Sequence, residues 1–257
     1  MGEFTIFDRP EILPFLFYPR RDFSPQPRVP NAITYFVSVA EGISISCRFY
    51  FHNEKAPDIL FFHGNGEIAS DYDDIAPLFS QIGVNLFVAD YRGYGLSGGK
   101  PTFTDMIRDA HAVFDGFKQE GYSGRIFVMG RSLGSASAIE LAYNYQQQIT
   151  GLIVESGFAD VIRLLTYIGV PVQRLGLDQV KVSLNLERIQ LISIPTLIIH
   201  GECDSLIPVQ EGKDLYRSSG AKDKRLLIIP KADHNDILFV GGEEYLNTVR
   251  GFVVAHG

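Results

Sequence analysis

The chain has 257 residues, 46% hydrophobic and 21% charged, enough for one soluble globular unit with a sizeable core. A formal net charge of −7 with scattered basic residues excludes a phosphate-tracking nucleic-acid face and argues against an anionic membrane partner. Two cysteines, Cys47 and Cys203, supply neither a disulfide framework nor metal-ligand spacing, so reduced thiols at buried or half-buried positions and a cytoplasmic setting are expected.

The N-terminal stretch "MGEFTIFDRPEILPFLFYPRRDF" has early acidic residues and prolines that interrupt its apolar run. It lacks the basic start and unbroken apolar core of a signal peptide, and no run in the chain reaches membrane-spanning length. Pro25, Pro27 and Pro30 predict that residues 1–30 form an extended arm leading into a single domain over 31–257. The runs "ITYFVSVA" and "ISISCRFYFH", joined at Glu41-Gly42, predict a β-hairpin.

Short apolar runs then recur at 58–62, 85–90, 125–130, 151–156, 195–201 and 225–230. Between and after them, helical patterns fall near 68–82, 104–119, 133–147, 209–219 and 242–254. Continuous apolar strands alternating with helices predict a doubly wound α/β architecture, with a mostly parallel sheet covered on both faces. Residues 158–190 are longer than a crossover requires. They predict a short helical cap or flap over the C-terminal edge of the sheet, where open α/β sheets bind ligands.

At the end of the third of these runs, Gly130-Arg131-Ser132-Leu133-Gly134 fits the nucleophile elbow G-x-S-x-G. A sharp strand-to-helix turn strains the backbone at the serine and leaves no space for side chains on either flank. The hydroxyl is thereby lifted above the sheet, beside the free N–H groups of a helix start. Gly95-Leu96-Ser97-Gly98-Gly99 matches the same pattern, but no apolar strand precedes it and Lys100-Pro101 follows it. Ser97 is therefore assigned to a loop and Ser132 to the nucleophile position.

A serine hydroxyl needs a base, and the base needs a carboxylate to orient it. His234, in the loop "PKADHND" after the last strand, is the expected base. His200 at a strand end is the alternative, and His256 is expected to be a solvated tail residue. Asp204, after the penultimate strand, is the expected acid, with Glu202, Glu155 and Asp160 as rivals. One oxyanion donor is expected to be the Leu133 N–H. The other comes from His63-Gly64-Asn65-Gly66-Glu67, with the Asn65 amide preferred, Gly66 the alternative and His63 ordering the loop.

Five segments, "FFHGNGE", "ADYRGYGLSGGKPTF", "MGRSLGSASAIELA", "LIIHGECDSLIP" and "ADHND", make the chain resemble the α/β-hydrolase-fold serine hydrolases from about Ile33 onward. The nearest branch is a small, lid-poor one of esterases and protein-depalmitoylating thioesterases. The resemblance implies an eight-stranded sheet, a triad of Ser132, Asp204 and His234, loop-bracing roles for Asp90 and Arg92, and no metal or cofactor. Depalmitoylases of that branch carry a cysteine-rich lipidated N-terminal region. This chain has no cysteine before Cys47, which argues against membrane-bound depalmitoylation.

The expected activity is hydrolysis of a small-molecule carboxylic ester or thioester through an acyl-serine intermediate. An aminopeptidase-like amide hydrolase and a non-catalytic binding protein on the same scaffold are the alternatives. Phe158, Leu164, Leu165, Tyr167 and Ile168 in the insertion are expected to wall an acyl pocket or, on the other reading, to pack against the sheet.

Overall fold

Apolar runs too short for helices pair here into one sheet. The computed structural model describes residues 4–119, 124–180 and 184–257. Its strands are β1 (Ala32–Ala40), β2 (Ile43–Tyr50), β3 (Asp58–Phe62), β4 (Asn85–Ala89), β5 (Ile126–Arg131), β6 (Gly151–Glu155), β7 (Thr196–Gly201) and β8 (Lys224–Ile229). They form an eight-stranded sheet in the order β1-β2-β4-β3-β5-β6-β7-β8. The β1–β2 hairpin and the β2–β4 pair are antiparallel, and all other pairs are parallel. Every residue of β3 to β7 is buried, as unbroken apolar runs require in a sheet covered on both faces. This is the α/β-hydrolase architecture that the sequence predicts.

Alternate residues of each strand serve opposite cores. Leu60, Phe62, Val128, Leu152 and Val154 face one, and Ile59, Phe61, Phe127, Met129 and Ile153 the other. The helices are α1 (Leu13–Leu16), α2 (Ala76–Gln81), α3 (Phe103–Gln119), α4 (Ser135–Asn144), α5 (Val161–Tyr167), α6 (Leu184–Leu191), α7 (Val209–Ser218) and α8 (Ile237–His256). The chain leaves β3 toward β4 on one side and returns to β5 on the other. That reversal puts the loops after β3 and β5 side by side, because Phe62 and Gly130 are register partners.

Three segments differ from the sequence expectation. The predicted helix 68–82 is a 3-10 turn (Ala69–Asp73) followed by α2, which starts at Ala76 with Pro77 in its first turn. Asp73 is pulled inward by Arg48 and Tyr50, which breaks the helix. Helix α8 begins ahead of the predicted 242 because Gly242 (φ 45°, ψ −121°) joins an early turn to the main helix across a kink.

The N-terminal arm is not extended throughout. A 3-10 turn (Thr5–Asp8) and α1 bury Phe7, Ile12 and Leu16, and Phe4 and Phe7 pack on Phe103 of α3. These aromatic side chains of the arm are spent on this docking. In the insertion over 158–190, α5 and α6 bury Leu164, Leu165, Leu184 and Ile189, and α6 packs on α4 and α7. Residues 181–183 of that insertion and 1–3 of the arm lie outside the described residues.

Candidate active site

Strand β5 ends in a turn whose two flanking positions only glycine fits. Ser132 has φ 52°, a left-handed conformation that costs a non-glycine residue energy. A Cβ on Gly130 would lie 2.4 Å from the Gly134 carbonyl oxygen, and one on Gly134 would lie 2.1 Å from that of Phe62. Both glycines are therefore required by close backbone approach. The Ser135 hydroxyl donates to the Ser132 carbonyl (2.6 Å) and anchors the turn to the start of α4.

The turn brings Ser132 to the two loops that follow β7 and β8. Ser132 Oγ lies 3.0 Å from His234 Nε2, and His234 Nδ1 lies 2.8 Å from Asp204 Oδ2. All three residues are buried. The second Asp204 oxygen accepts the N–H groups of Leu206 (3.0 Å) and Ile207 (2.7 Å). Burial alone would raise the Asp204 carboxyl, but hydrogen bonds from His200 and His234, with the charge of His234, hold it well below the usual carboxylate range. A fixed carboxylate, an oriented imidazole and an adjacent hydroxyl can together move a proton off the hydroxyl.

The other candidates have different employment. His200 is fully buried; its Nε2–H donates to the Ile207 carbonyl (2.8 Å) and lies 3.3 Å from Asp204 Oδ2, so it supports the acid from behind. Ser97 accepts the Ser46 N–H (2.9 Å) inside a closed loop. Glu202 accepts the Lys231 N–H, Asp160 caps α5, and Glu155 is held by Arg131 and Tyr245. His256 is no solvated tail: its ring packs on Phe252 (5.0 Å) and its Nε2 lies 3.3 Å from Asp223.

The loop after β3 is held from several sides. His63 donates to the Gly64 carbonyl (2.8 Å) and toward Asp90 (3.3 Å). Burial disfavours charge on His63, yet Asp90 outweighs it and raises the imidazole above the ordinary histidine value. Asp90 also takes the Ala69 N–H and the Ser46 hydroxyl, and Arg92 pairs with Asp109 (2.6 and 2.9 Å) and Asp105 (3.2 Å). Asn65 Oδ1 accepts from Tyr18 N–H (2.8 Å) and the Tyr94 hydroxyl (2.6 Å), so the Asn65 side chain braces the loop. The Gly66 N–H is turned to Tyr94, whereas the Asn65 N–H has no acceptor among the described residues. Leu133, immediately after Ser132, opens the turn into α4.

Sequence reasoning missed two contributors. One is the N-terminal strap, whose Tyr18 and Arg20 bond Asn65 and the Gly66 carbonyl (3.0 Å). The other is Arg131, the variable position of the elbow motif, which reaches Glu67, Glu155 and the His234 loop. An arginine in an otherwise apolar strand is the signal that could have pointed to it. Of the predicted pocket residues, Phe158 and Leu165 are closed in the core at 1% and 0% exposure, and the half-exposed Tyr167 gives its hydroxyl to Glu211 (3.0 Å).

Cys203 departs from expectation too, since its side chain is exposed while Cys47 is buried. The loop turns Asp204 inward and leaves its neighbour outside. Burial also pushes the Cys47 thiol up, with Asp90 adding to the effect. A thiol reagent such as DTNB is therefore expected to titrate one cysteine in the native protein and both after unfolding. Rapid reaction of two native thiols would contradict this placement.

The family model described as "Serine aminopeptidase, S33" matches residues 53–180 and 168–238. The chain belongs to this α/β-hydrolase family. Among relatives, the α/β hydrolase domain-containing protein WAV2 of Arabidopsis thaliana is 29% identical over 229 residues, covering 81% of this chain and 74% of its own. Human α/β hydrolase domain-containing protein 17B is 28% identical over 251 residues, covering 91% and 80%. The Pyrococcus furiosus esterase Pf2001 superposes with a TM-score of 0.76 at 20% identity, covering 93% of this chain and 98% of that one. This hydrolase has, among its described residues, no helix long and apolar enough to cross a membrane.

Proposed function

We propose that this hydrolase cleaves carboxylic esters, or thioesters, of small-molecule acyl substrates through an acyl-serine intermediate. The observation that carries the reading is the unbroken relay from Asp204 through His234 to Ser132, with contacts of 2.8 and 3.0 Å. His234 takes the Ser132 proton as Oγ attacks the acyl carbon, and Asp204 holds the imidazole tautomer and balances the imidazolium. The carbonyl oxygen becomes an oxyanion beside the Leu133 and Asn65 N–H groups. Protonated His234 then gives its proton to the leaving alcohol or thiol. Water, deprotonated by His234, attacks the acyl carbon, and collapse of the second intermediate returns the proton to Ser132 and frees the acid.

Amide substrates use the same parts, and the matched family's description as a serine aminopeptidase favours keeping that reading. The neighbour of known fold described as an esterase supports the ester reading. Two cysteines without a disulfide support a cytoplasmic setting. A fluorophosphonate probe is expected to add once to the intact protein, and the adduct is expected to vanish in Ser132→Ala and persist in Ser97→Ala. Mass spectrometry reads both. An unlabelled, folded wild type would sink the nucleophile assignment. Turnover of p-nitrophenyl esters, acyl thioesters and aminoacyl anilides then ranks the substrate classes.

A further inference from the structure

Arg131 ends β5 directly before Ser132, and its side chain is nearly nine-tenths buried. Its guanidinium donates from Nε to Glu155 Oε1 (3.1 Å) and from Nη1 to Glu67 Oε1. Nη2 donates to both the His234 carbonyl (2.8 Å) and Asn235 Oδ1 (3.0 Å). The acceptors come from the loop after β3, the end of β6 and the loop after β8, segments that meet only at the C-terminal edge of the sheet. Burial works against the guanidinium's charge, but Glu67 and Glu155 outweigh it and keep the cation in place.

The contact with Glu67 continues into the loop that carries Asn65. The other Glu67 oxygen accepts the Gly64 N–H (2.8 Å) and the Tyr72 hydroxyl (2.9 Å). The fit is close, since a Cβ on Gly64 would lie 2.6 Å from Arg131 Nη1. One planar ion therefore touches the backbone of the base loop and, through one carboxylate, the backbone of the loop opposite. Because it also adjoins the nucleophile in the chain, a shift of the guanidinium disturbs all three spacings at once.

Resting on the triad reading above, we propose that Arg131 is a positioning residue that locks the Asn65 loop and the His234 loop into one frame around Ser132. Its rigid fork fixes the distance between the group that takes the proton and the amide that receives the oxyanion. A residue needed only to balance Glu67 and Glu155 would be replaceable by any cation. A positioning fork would not be, because lysine offers a single point charge on a flexible stem.

The test compares wild type with Arg131→Lys, Glu67→Gln, Asn235→Ala and the Glu67→Gln/Asn235→Ala double variant. Each is read by fluorophosphonate labelling rate, by kcat and KM on p-nitrophenyl acetate, and by thermal melting. Arg131→Lys is expected to melt cooperatively, to keep KM within about twofold, and to lose about 10- to 100-fold in kcat and labelling rate, the scale of a misplaced catalytic group. Glu67→Gln leaves one acceptor oxygen for either Arg131 or the Gly64 N–H but not both, and Asn235→Ala removes one of the two Nη2 acceptors. Each loosens one arm of the same fork, so their combined loss is expected to be smaller than the product of the single losses. Wild-type kcat in Arg131→Lys, or losses that multiply independently in the double variant, overturns the proposal. If Arg131→Lys fails to fold, the double-variant comparison decides alone. An unlabelled wild type removes the triad reading and this one together, whereas a labelled wild type with an indifferent Arg131→Lys removes only this one.

Discussion

Replacing Asp204 by asparagine is expected to lower kcat about 10³- to 10⁴-fold with little change in KM, the size of effect seen when a triad carboxylate is neutralised. The reason is geometric as well as electrostatic. Asp204 Oδ2 accepts from His234 Nδ1, while Oδ1 is anchored by two backbone N–H groups. An asparagine amide cannot accept on both sides. It must turn its NH₂ either toward the two backbone donors or toward the imidazole, and the second choice imposes the wrong tautomer on His234.

The same substitution carries a pH signature. The folded Asp204 carboxyl lies below its ordinary value, so its ionisation stabilises the native state fully above the unfolded value of about 3.9. That stabilisation is lost as pH falls below 3.9 toward the folded value. Denaturant melts of wild type and Asp204→Asn should therefore differ most at neutral pH and converge in strong acid. A gap that widens on acidification would reverse the sign and show that the carboxyl is held protonated.

Gly134→Ala is expected to be the most damaging change outside the proposed triad. The added methyl would sit 2.1 Å from the Phe62 carbonyl oxygen and 2.8 Å from that of His63, both backbone atoms of β3 and the loop it feeds. Neither can swing aside as a side chain would. Relief requires α4 to lift off β3, at a cost of about 3 kcal/mol, the upper part of the usual overpacking range. The displacement would also move Ser132 away from His234. A chemical-denaturation midpoint and a fluorophosphonate labelling rate both near wild type would contradict the close approach.

What could be read from the sequence divides by range. Strands β3 to β7 were legible because both faces of the sheet are covered there, leaving unbroken apolar runs in the chain, and the partly buried edge strand β8 was legible from its Leu226–Ile229 run. Ser132 was legible because its two glycines answer local clashes, and Asp204 and His234 because each lies in a loop directly after a strand. The antiparallel hairpin announced itself at Glu41-Gly42. The parts that escaped depend on partners far apart in the chain. Arg131 meets Glu67, Glu155 and Asn235 across separations of 64, 24 and 104 residues, and nothing in the local pattern marks those pairings. The inward turn of Asp73 likewise depends on Arg48 in β2, and it divides a segment whose periodicity alone reads as one helix. The docking of Phe4 and Phe7 on Phe103 turns an irregular, proline-rich arm into part of the core.

The two chain ends stand in opposite relation to the chemistry. Tyr18 and Arg20 of the strap grip Asn65 and Gly66, and Gly95 N–H donates to the Arg20 carbonyl (2.8 Å) in the neighbouring loop. At the other end, His256 reaches Asp223, which precedes β8, so α8 finishes at the edge of the sheet away from the loops of Ser132, Asp204 and His234. Tension on a handle at the front of the chain would load the docked arm first and then, through the strap, the Asn65 loop, while a handle at the back would leave that loop slack. For surface immobilisation, fusion or single-molecule pulling, attachment through the C-terminus keeps the edge that carries the candidate site facing the solution, and attachment through the N-terminus turns the strap into a mechanical lever on the Asn65 loop.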